Sequence, residues 1–189
     1  KNIILICKKL KPYLFVNFSS TSVYPQNSGE YNENSLTKPE LNNDCLYGLS
    51  KYNSEVLFSY FFNLYKIKLL NLRISQVLGE NMNSNRILPT LIKEINKKNT
   101  ITLYGQGKRT SNFIEIEKLY SLVFFLIKNK VTGLYNIGDK NYSYMNLAKK
   151  IKSKYGNINT KIILLKNGIS SKFKLNLNKL KNKIKLYEK

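Results

Sequence analysis

The chain has 189 residues, enough for one domain of ordinary size with a real core, and 42% of them are hydrophobic, which argues against global disorder. Thirty-two basic residues face eleven acidic ones, a net charge of +21, with no histidine and two cysteines. That composition excludes Ser-His-Asp and Cys-His catalysis and histidine-ligated metals; Cys7 and Cys45 are too few for a disulfide scaffold or a zinc knuckle, and no apolar run approaches the roughly 18 residues of a membrane helix.

The charge is nearly all lysine, since Arg73, Arg86 and Arg109 are the only arginines. Nucleic-acid readers rely on arginine forks and a basic stripe interleaved with stacking aromatics. Here lysine is spread along the whole chain beside abundant Asn and Ile. It reads as diffuse solvated charge that assists the approach of phosphorylated small molecules, with no specific nucleic-acid partner expected. The opening KNIILICKKLKP has a short apolar stretch without a small-residue cleavage site, a poor match to a secretion signal. The cytoplasm is the expected compartment and no membrane contact is expected.

Along the chain, strand and helix patterns alternate. Ile3–Leu10 reads as a helix end stopped near Pro12. Tyr13–Phe18 is a strand of β-branched and aromatic residues, and a polar loop with breakers at Pro25, Gly29 and Pro39 runs to about Asp44. Asp44 is placed to cap a helix from Cys45 to about Tyr65, in which Leu46, Leu49, Val56, Leu57, Tyr60, Phe61 and Leu64 recur at helical spacing. Lys68–Ile74 reads as a strand buried on both faces, and Gly79–Asn85 as a loop. Ile87–Lys97 is a helix with Pro89 in its first turn. Thr100–Tyr104 is a strand ending at the Gly105–Gly107 turn, Ile116–Lys128 a helix, Leu134–Ile137 a strand, Ser143 the cap of a helix to about Tyr155, and Lys161–Leu165 a strand. The tail from Leu175 to Tyr187 is lysine-rich and helical or half-ordered. This alternation predicts an α/β fold with a parallel sheet and right-handed crossovers.

The most informative chemistry is Tyr47-Gly-Leu-Ser-Lys51. Residues four apart on a helix share a face, and a cation near a phenol favours the phenolate, which makes a usable general acid or base. The spacing alone is weak: 14 tyrosines and 29 lysines (32 basic residues less three arginines) give about two such pairs by chance, and Tyr104…Lys108 is a second. Upstream, Ser19-Ser20-Thr21-Ser22 ends the YLFVNF strand. Hydroxyls at the carboxyl end of a central parallel strand face the crevice where open α/β sheets bind ligands.

Taken together, FVNFSSTSVY, Glu33, YGLSK, LNLRISQVLG at 70–79, ILPTLIKEI, LYGQGKRTSNFIEI at 103–116, GLYNIGDKNYSYMNLAKKI at 133–151 and the ending KFKLNLNKLK resemble, in order, the extended short-chain dehydrogenase/reductase family, the NAD(P)-dependent epimerases and dehydratases of nucleotide sugars. The resemblance implies a partial Rossmann sheet plus a small C-terminal α/β substrate domain. Residues 1–80 would be the C-terminal part of the NAD-binding domain, and residues 81–189 mostly the substrate domain, with some segments returning to the sheet. The family's glycine-rich dinucleotide turn is not found here, so the resemblance implies an N-terminally truncated member, inactive alone and a poor binder of NAD.

By the same resemblance Ser20, Tyr47 and Lys51 match the catalytic set. Tyr47 would take a sugar hydroxyl proton, Lys51 would favour the phenolate and hold the nicotinamide ribose, and Ser20 would bridge substrate and Tyr47. Ser19 and Ile74 would border NAD, with NADP left open. Thr21, Gln76, Arg86 and Arg109 would face a nucleotide-sugar substrate. Three positions depart from the family pattern: Gln76 stands for an asparagine, Pro25 for a glycine, and Ser111 for the arginine that grips a diphosphate, leaving Arg109 and Arg86 as candidates. Thr21-Ser22 stand where a 4,6-dehydratase carries Asp-Glu, which favours an epimerase resembling UDP-glucose 4-epimerase, or a related reductase. A cofactor-free remnant that binds nucleotide sugars or polyanions is the alternative. A homodimer through the Tyr/Lys helix and the one before it is also implied, and Phe58, Phe61 and Phe62 suit either that contact or the core.

Overall fold

The computed structural model describes residues 2–80 and 82–187. In chain order the elements are α1 (Asn2–Leu10), β1 (Leu14–Ser20), β2 (Gly29–Tyr31), α2 (Cys45–Leu64), β3 (Lys68–Ile74), β4 (Gln76–Leu78), α3 (Ile87–Lys98), β5 (Thr100–Leu103), β6 (Thr110–Glu115), α4 (Ile116–Lys128), β7 (Gly133–Ile137), β8 (Lys140–Ser143), α5 (Tyr144–Tyr155), β9 (Lys161–Leu164), β10 (Phe173–Leu175) and α6 (Asn178–Lys185). Every predicted helix is present, and the α/β class is the observed one.

β1, β3 and β7 form a parallel sheet in the order β1-β3-β7, with Ser20 level with Ile74 and Ile74 level with Ile137. Successive strand residues face opposite sides. Leu70 and Leu72 therefore pack with Leu119, Val123 and Leu126 of α4 and Leu180 of α6, while Leu69 and Phe15 turn to the other side, against Cys7 of α1 and Phe58 and Phe62 of α2. Helices cover both faces, which is why β3 reads as an unbroken apolar run.

The second half builds a separate core in which Leu91 and Ile95 of α3, Leu147 and Ile151 of α5, and Ile101, Leu103 and Phe113 meet. Here the structure corrects two expectations. β2 lies in the stretch read as a polar loop, while β4, β6, β8 and β10 lie where the sequence pattern assigns no strand, and the sheets are not all parallel, because β6 and β8 pair antiparallel. β2, β4 and β10 are three residues long. All five are pinned by distant partners: β2 by β10, β4 by β6, β6 by β8. Local composition carries little of that information. A third correction concerns Asp44. It stands at the cap position of α2 but makes no side-chain cap hydrogen bond, whereas Ser143 does cap α5, accepting from the Asn146 N–H.

Candidate active site

β1 and β3 end side by side, and α2 begins next to them. What brings α2 so close is Gly48: a Cβ there would lie 2.2 Å from the Ser22 carbonyl oxygen. No other residue type lets the helix start rest on the Thr21–Val23 turn, and that contact carries Tyr47 to the end of β1. The turn is itself tied by Ser20, whose Oγ accepts from the Ser22 N–H and donates to the Ser22 Oγ, both at 3.1 Å.

Lys51 lies one helical turn beyond Tyr47. Its Nζ is 5.4 Å from the Tyr47 ring centroid and donates to the Phe18 carbonyl at 2.8 Å. Among the described residues no such contact joins Lys108 to Tyr104, so of the two Tyr/Lys spacings only the helical one brings its side chains together. Tyr47 is 48% exposed.

Ser20, Tyr47 and Lys51 line one cleft of about 450 Å³ together with Ser19, Thr21, Ile74, Gln76, Arg86 and Arg109. Every residue expected at the site from sequence borders this one cavity. Their engagements differ. Ser19 is buried and its hydroxyl donates to Glu55, so that oxygen is not free for a ligand. Arg86 is exposed, just before α3. Arg109 is half-buried, its guanidinium 5.0 Å from the Tyr144 ring centroid, with Nε enclosed and lacking a hydrogen-bond partner among the described residues. It is not a free loop charge. The Ser75 Oγ, on the same cleft, is likewise enclosed and unpartnered. Orphaned buried polar atoms are uncommon and mark places where a ligand or water completes the bonding. Two of the three positions that depart from the family pattern touch: Gln76 Nε2 lies 3.4 Å from the Ser111 Oγ. The longer amide reaches toward the small residue opposite.

Sequence reasoning missed the buried support beneath the cleft. Glu55 continues the 47, 51 spacing by four more residues, so Tyr47, Lys51 and Glu55 form one stripe on α2. Glu55 and Arg73 are almost wholly buried and joined by a forked ion pair, Arg73 Nε to Oε1 at 3.0 Å and the terminal nitrogen to Oε2 at 2.7 Å. The other terminal nitrogen of Arg73 donates to the Tyr24 Oη at 2.9 Å. That oxygen lies 2.9 Å from Asn136 Oδ1, and Glu33 accepts from the Asn136 N–H. Burial pushes the Tyr24 phenol above its ordinary value, against the lowering effect of Arg73. For Arg73 burial alone would lower the value, but its hydrogen bond to Glu55 and its other partners outweigh burial and hold it above the usual guanidinium range. One network thus binds the strand carrying Ser20, the helix carrying Tyr47 and the end of β3. The stripe spacing is the signal that could have found Glu55.

Several known proteins are similar to this chain in sequence or in fold. A dTDP-D-glucose 4,6-dehydratase of Dictyostelium discoideum is 28% identical over 155 residues, covering 77% of this chain and 36% of its own length. An uncharacterized UDP-glucose epimerase of Bacillus subtilis is 26% identical over 110 residues, or 34% of its length. The chain therefore spans about a third of the curated relatives it matches. Among solved structures, a dTDP-glucose 4,6-dehydratase of Bacillus anthracis in complex with NAD superposes with a TM-score of 0.81 at 19% identity, covering 97% of this chain and 59% of that one. A UDP-glucuronic acid 4-epimerase of Bacillus cereus, in complex with UDP-glucuronic acid and NAD, gives 0.79 at 24% identity and covers 95% and 58%. The sequence profile of the NAD dependent epimerase/dehydratase family matches residues 1–138, and the chain belongs to that family of enzymes.

Proposed function

We propose that these residues form the substrate side and the nicotinamide side of an NAD-dependent nucleotide-sugar epimerase. The observation that carries the reading is the convergence of Ser20, Tyr47 and Lys51 on one cleft at the carboxyl ends of parallel strands, with Arg86 and Arg109 on its walls. In this reading Ser20 holds the sugar hydroxyl and Tyr47 takes its proton, while Lys51 keeps a positive charge beside the phenol. Arg86 and the orphaned Arg109 Nε offer donors to a diphosphate, to which a guanidinium fork is suited. Thr21 and Gln76 border the sugar.

The nicotinamide end of NAD is suited to this end of the cleft, with Lys51 and Ile74 beside it. NAD supplies a hydride acceptor when bound; NADP would supply the same chemistry. Residues 1–80 with β7 read as part of the dinucleotide-binding domain, and most of 81–189 as the substrate domain.

Both dehydratases and epimerases are similar to this chain. The epimerase reading is favoured because Thr21 and Ser22 follow Ser20, and among the described residues Asp44 is the only carboxylate bordering the cleft; eliminating water needs acid and base groups at the sugar beyond the one phenol. The experiment is product analysis. The protein carrying these residues is supplied with NAD and UDP-glucose; the 4-epimer is expected, and a 4-keto-6-deoxy product would replace this reading with dehydration.

The outer sides of α1 and α2 are the proposed contact of a homodimer. Ile3, Leu5, Ile6 and Leu10 of α1 and Leu46, Leu49, Val56, Leu57, Tyr60 and Leu64 of α2 are all exposed, and exposed apolar helix faces are where chains associate. No helix among the described residues is long and apolar enough to cross a membrane.

A further inference from the structure

We infer that Asp44 makes the cleft select a sugar with a hydroxyl, rather than a carboxylate, next to the reacting carbon. The inference rests on the nucleotide-sugar reading of this cleft and names the substrate class within it. The backbone of Asp44 is fixed from both sides: its N–H donates to Asn42 Oδ1 at 3.0 Å, and its carbonyl accepts from the Gly48 N–H at 2.8 Å. Its side chain is left over. It does not cap α2, it is exposed, and among the described residues it enters neither of the two ion pairs. In a chain with 32 basic residues and 11 acidic ones, a carboxylate without a partner bordering a cleft is conspicuous.

Its surroundings sharpen the point. Lys51, Arg86 and Arg109 border the same cleft, and among the described residues Asp44 is the one negative group there. Asp44 is the residue immediately before α2 and Tyr47 is the third residue of that helix, a separation of about 4.5 Å along the axis at helical rise. A sugar whose hydroxyl meets Tyr47 and Ser20 presents the substituents of the two flanking carbons within that reach. A hydroxyl there donates to Asp44 in a charge-assisted hydrogen bond. A carboxylate there meets a like charge in place of a hydrogen-bond partner. Specificity then comes from a repulsive element as much as from an attractive one. The arginines do not cancel it, since they are engaged by the diphosphate in the same reading.

The test is calorimetric titration of the chain and of Asp44→Asn with UDP, UDP-glucose and UDP-glucuronate, the two sugars differing only in hydroxymethyl against carboxylate. The wild type is expected to hold UDP-glucose about tenfold more tightly than UDP-glucuronate, about 1.4 kcal/mol. Asp44→Asn is expected to shrink that ratio below about threefold with UDP affinity unchanged, the loss of one like-charge contact. UDP binding with equal affinity for both sugars, a preference for glucuronate, or a ratio untouched by Asp44→Asn overturns the inference and leaves the site reading standing. Failure of UDP and both sugars to bind overturns the site reading, and this inference with it.

Discussion

The two long sides of α2 are the reverse of what a surface helix usually shows. The inward side carries Gly48, Lys51, Glu55 and Phe62, and the outward side carries Leu46, Leu49, Val56, Leu57, Tyr60 and Leu64, with Leu46 79% and Tyr60 66% exposed. An ordinary amphipathic helix turns its apolar stripe to the core. Burying a carboxylate while exposing leucines is unfavourable unless each departure has its own compensation. Inside, the compensation is the ion pair to Arg73. Outside, the proposed dimer would supply it. The inward polar side borders the cleft, and the outward apolar side is the one on which the proposed second copy would sit.

The sharpest way to break this contrast is on the inward side. Glu55→Ala leaves the Arg73 guanidinium buried without a counter-charge and is expected to destabilise the chain by about 3–5 kcal/mol in urea unfolding. Lys118→Ala, which removes the half-exposed pair with Asp139, should cost less than about 1 kcal/mol in the same measurement. Similar losses for both would mean that the inner network contributes no more than a surface pair. Next in size is Gly48→Ala. The added Cβ collides with the Ser22 carbonyl and α2 must lift from the turn, a loss of about 1–3 kcal/mol as in other overpacked sites, accompanied by weaker binding of UDP-glucose. An unchanged Kd would separate the helix start from the site.

The outward side should respond in the opposite way. Leu49→Lys and Leu57→Lys together are expected to change monomer stability by no more than about 0.5 kcal/mol per site, yet to convert a sedimenting dimer to monomer. If the sedimentation coefficient of the double variant equals that of the wild type, the apolar side is not the interface. The smallest effect concerns Tyr24. Its phenol titrates higher in the folded chain than in the unfolded one, chiefly through burial. Its contribution is therefore fully present below the ordinary phenol value near 10 and is lost as pH rises through the higher folded value. Tyr24→Phe should flatten the alkaline fall in stability, and a fall of the same steepness in the variant would remove Tyr24 from it.

The helices and the three strands of the parallel β1-β3-β7 sheet were legible because each combines a clear period with clear stops, as in Lys68–Ile74 or the Ser143-capped α5. The orientation of α2 was not. Periodicity shows which residues share a side but not which side turns inward, and only the partner at Arg73, eighteen residues on from Glu55, makes the polar side the buried one. The short strands failed for the same reason: the Gly29–Tyr31 strand exists because Phe173–Leu175 lies beside it. The residues that border the cleft were singled out by the family resemblance of several motifs in order, since the Tyr47/Lys51 spacing alone is common by chance. Asp44 was read as a cap by position; that it borders the cleft instead depends on packing that no local pattern records.

In the proposed function Ser20, Tyr47 and Lys51 act together on one sugar hydroxyl. The most direct measurement is turnover of UDP-glucose with NAD by the protein carrying these residues, compared with its Tyr47→Phe variant. The expected result is a rate lowered by about two to four orders of magnitude with UDP-glucose still bound at its original affinity, because only the proton-accepting oxygen is gone. Undiminished turnover in Tyr47→Phe would contradict the account.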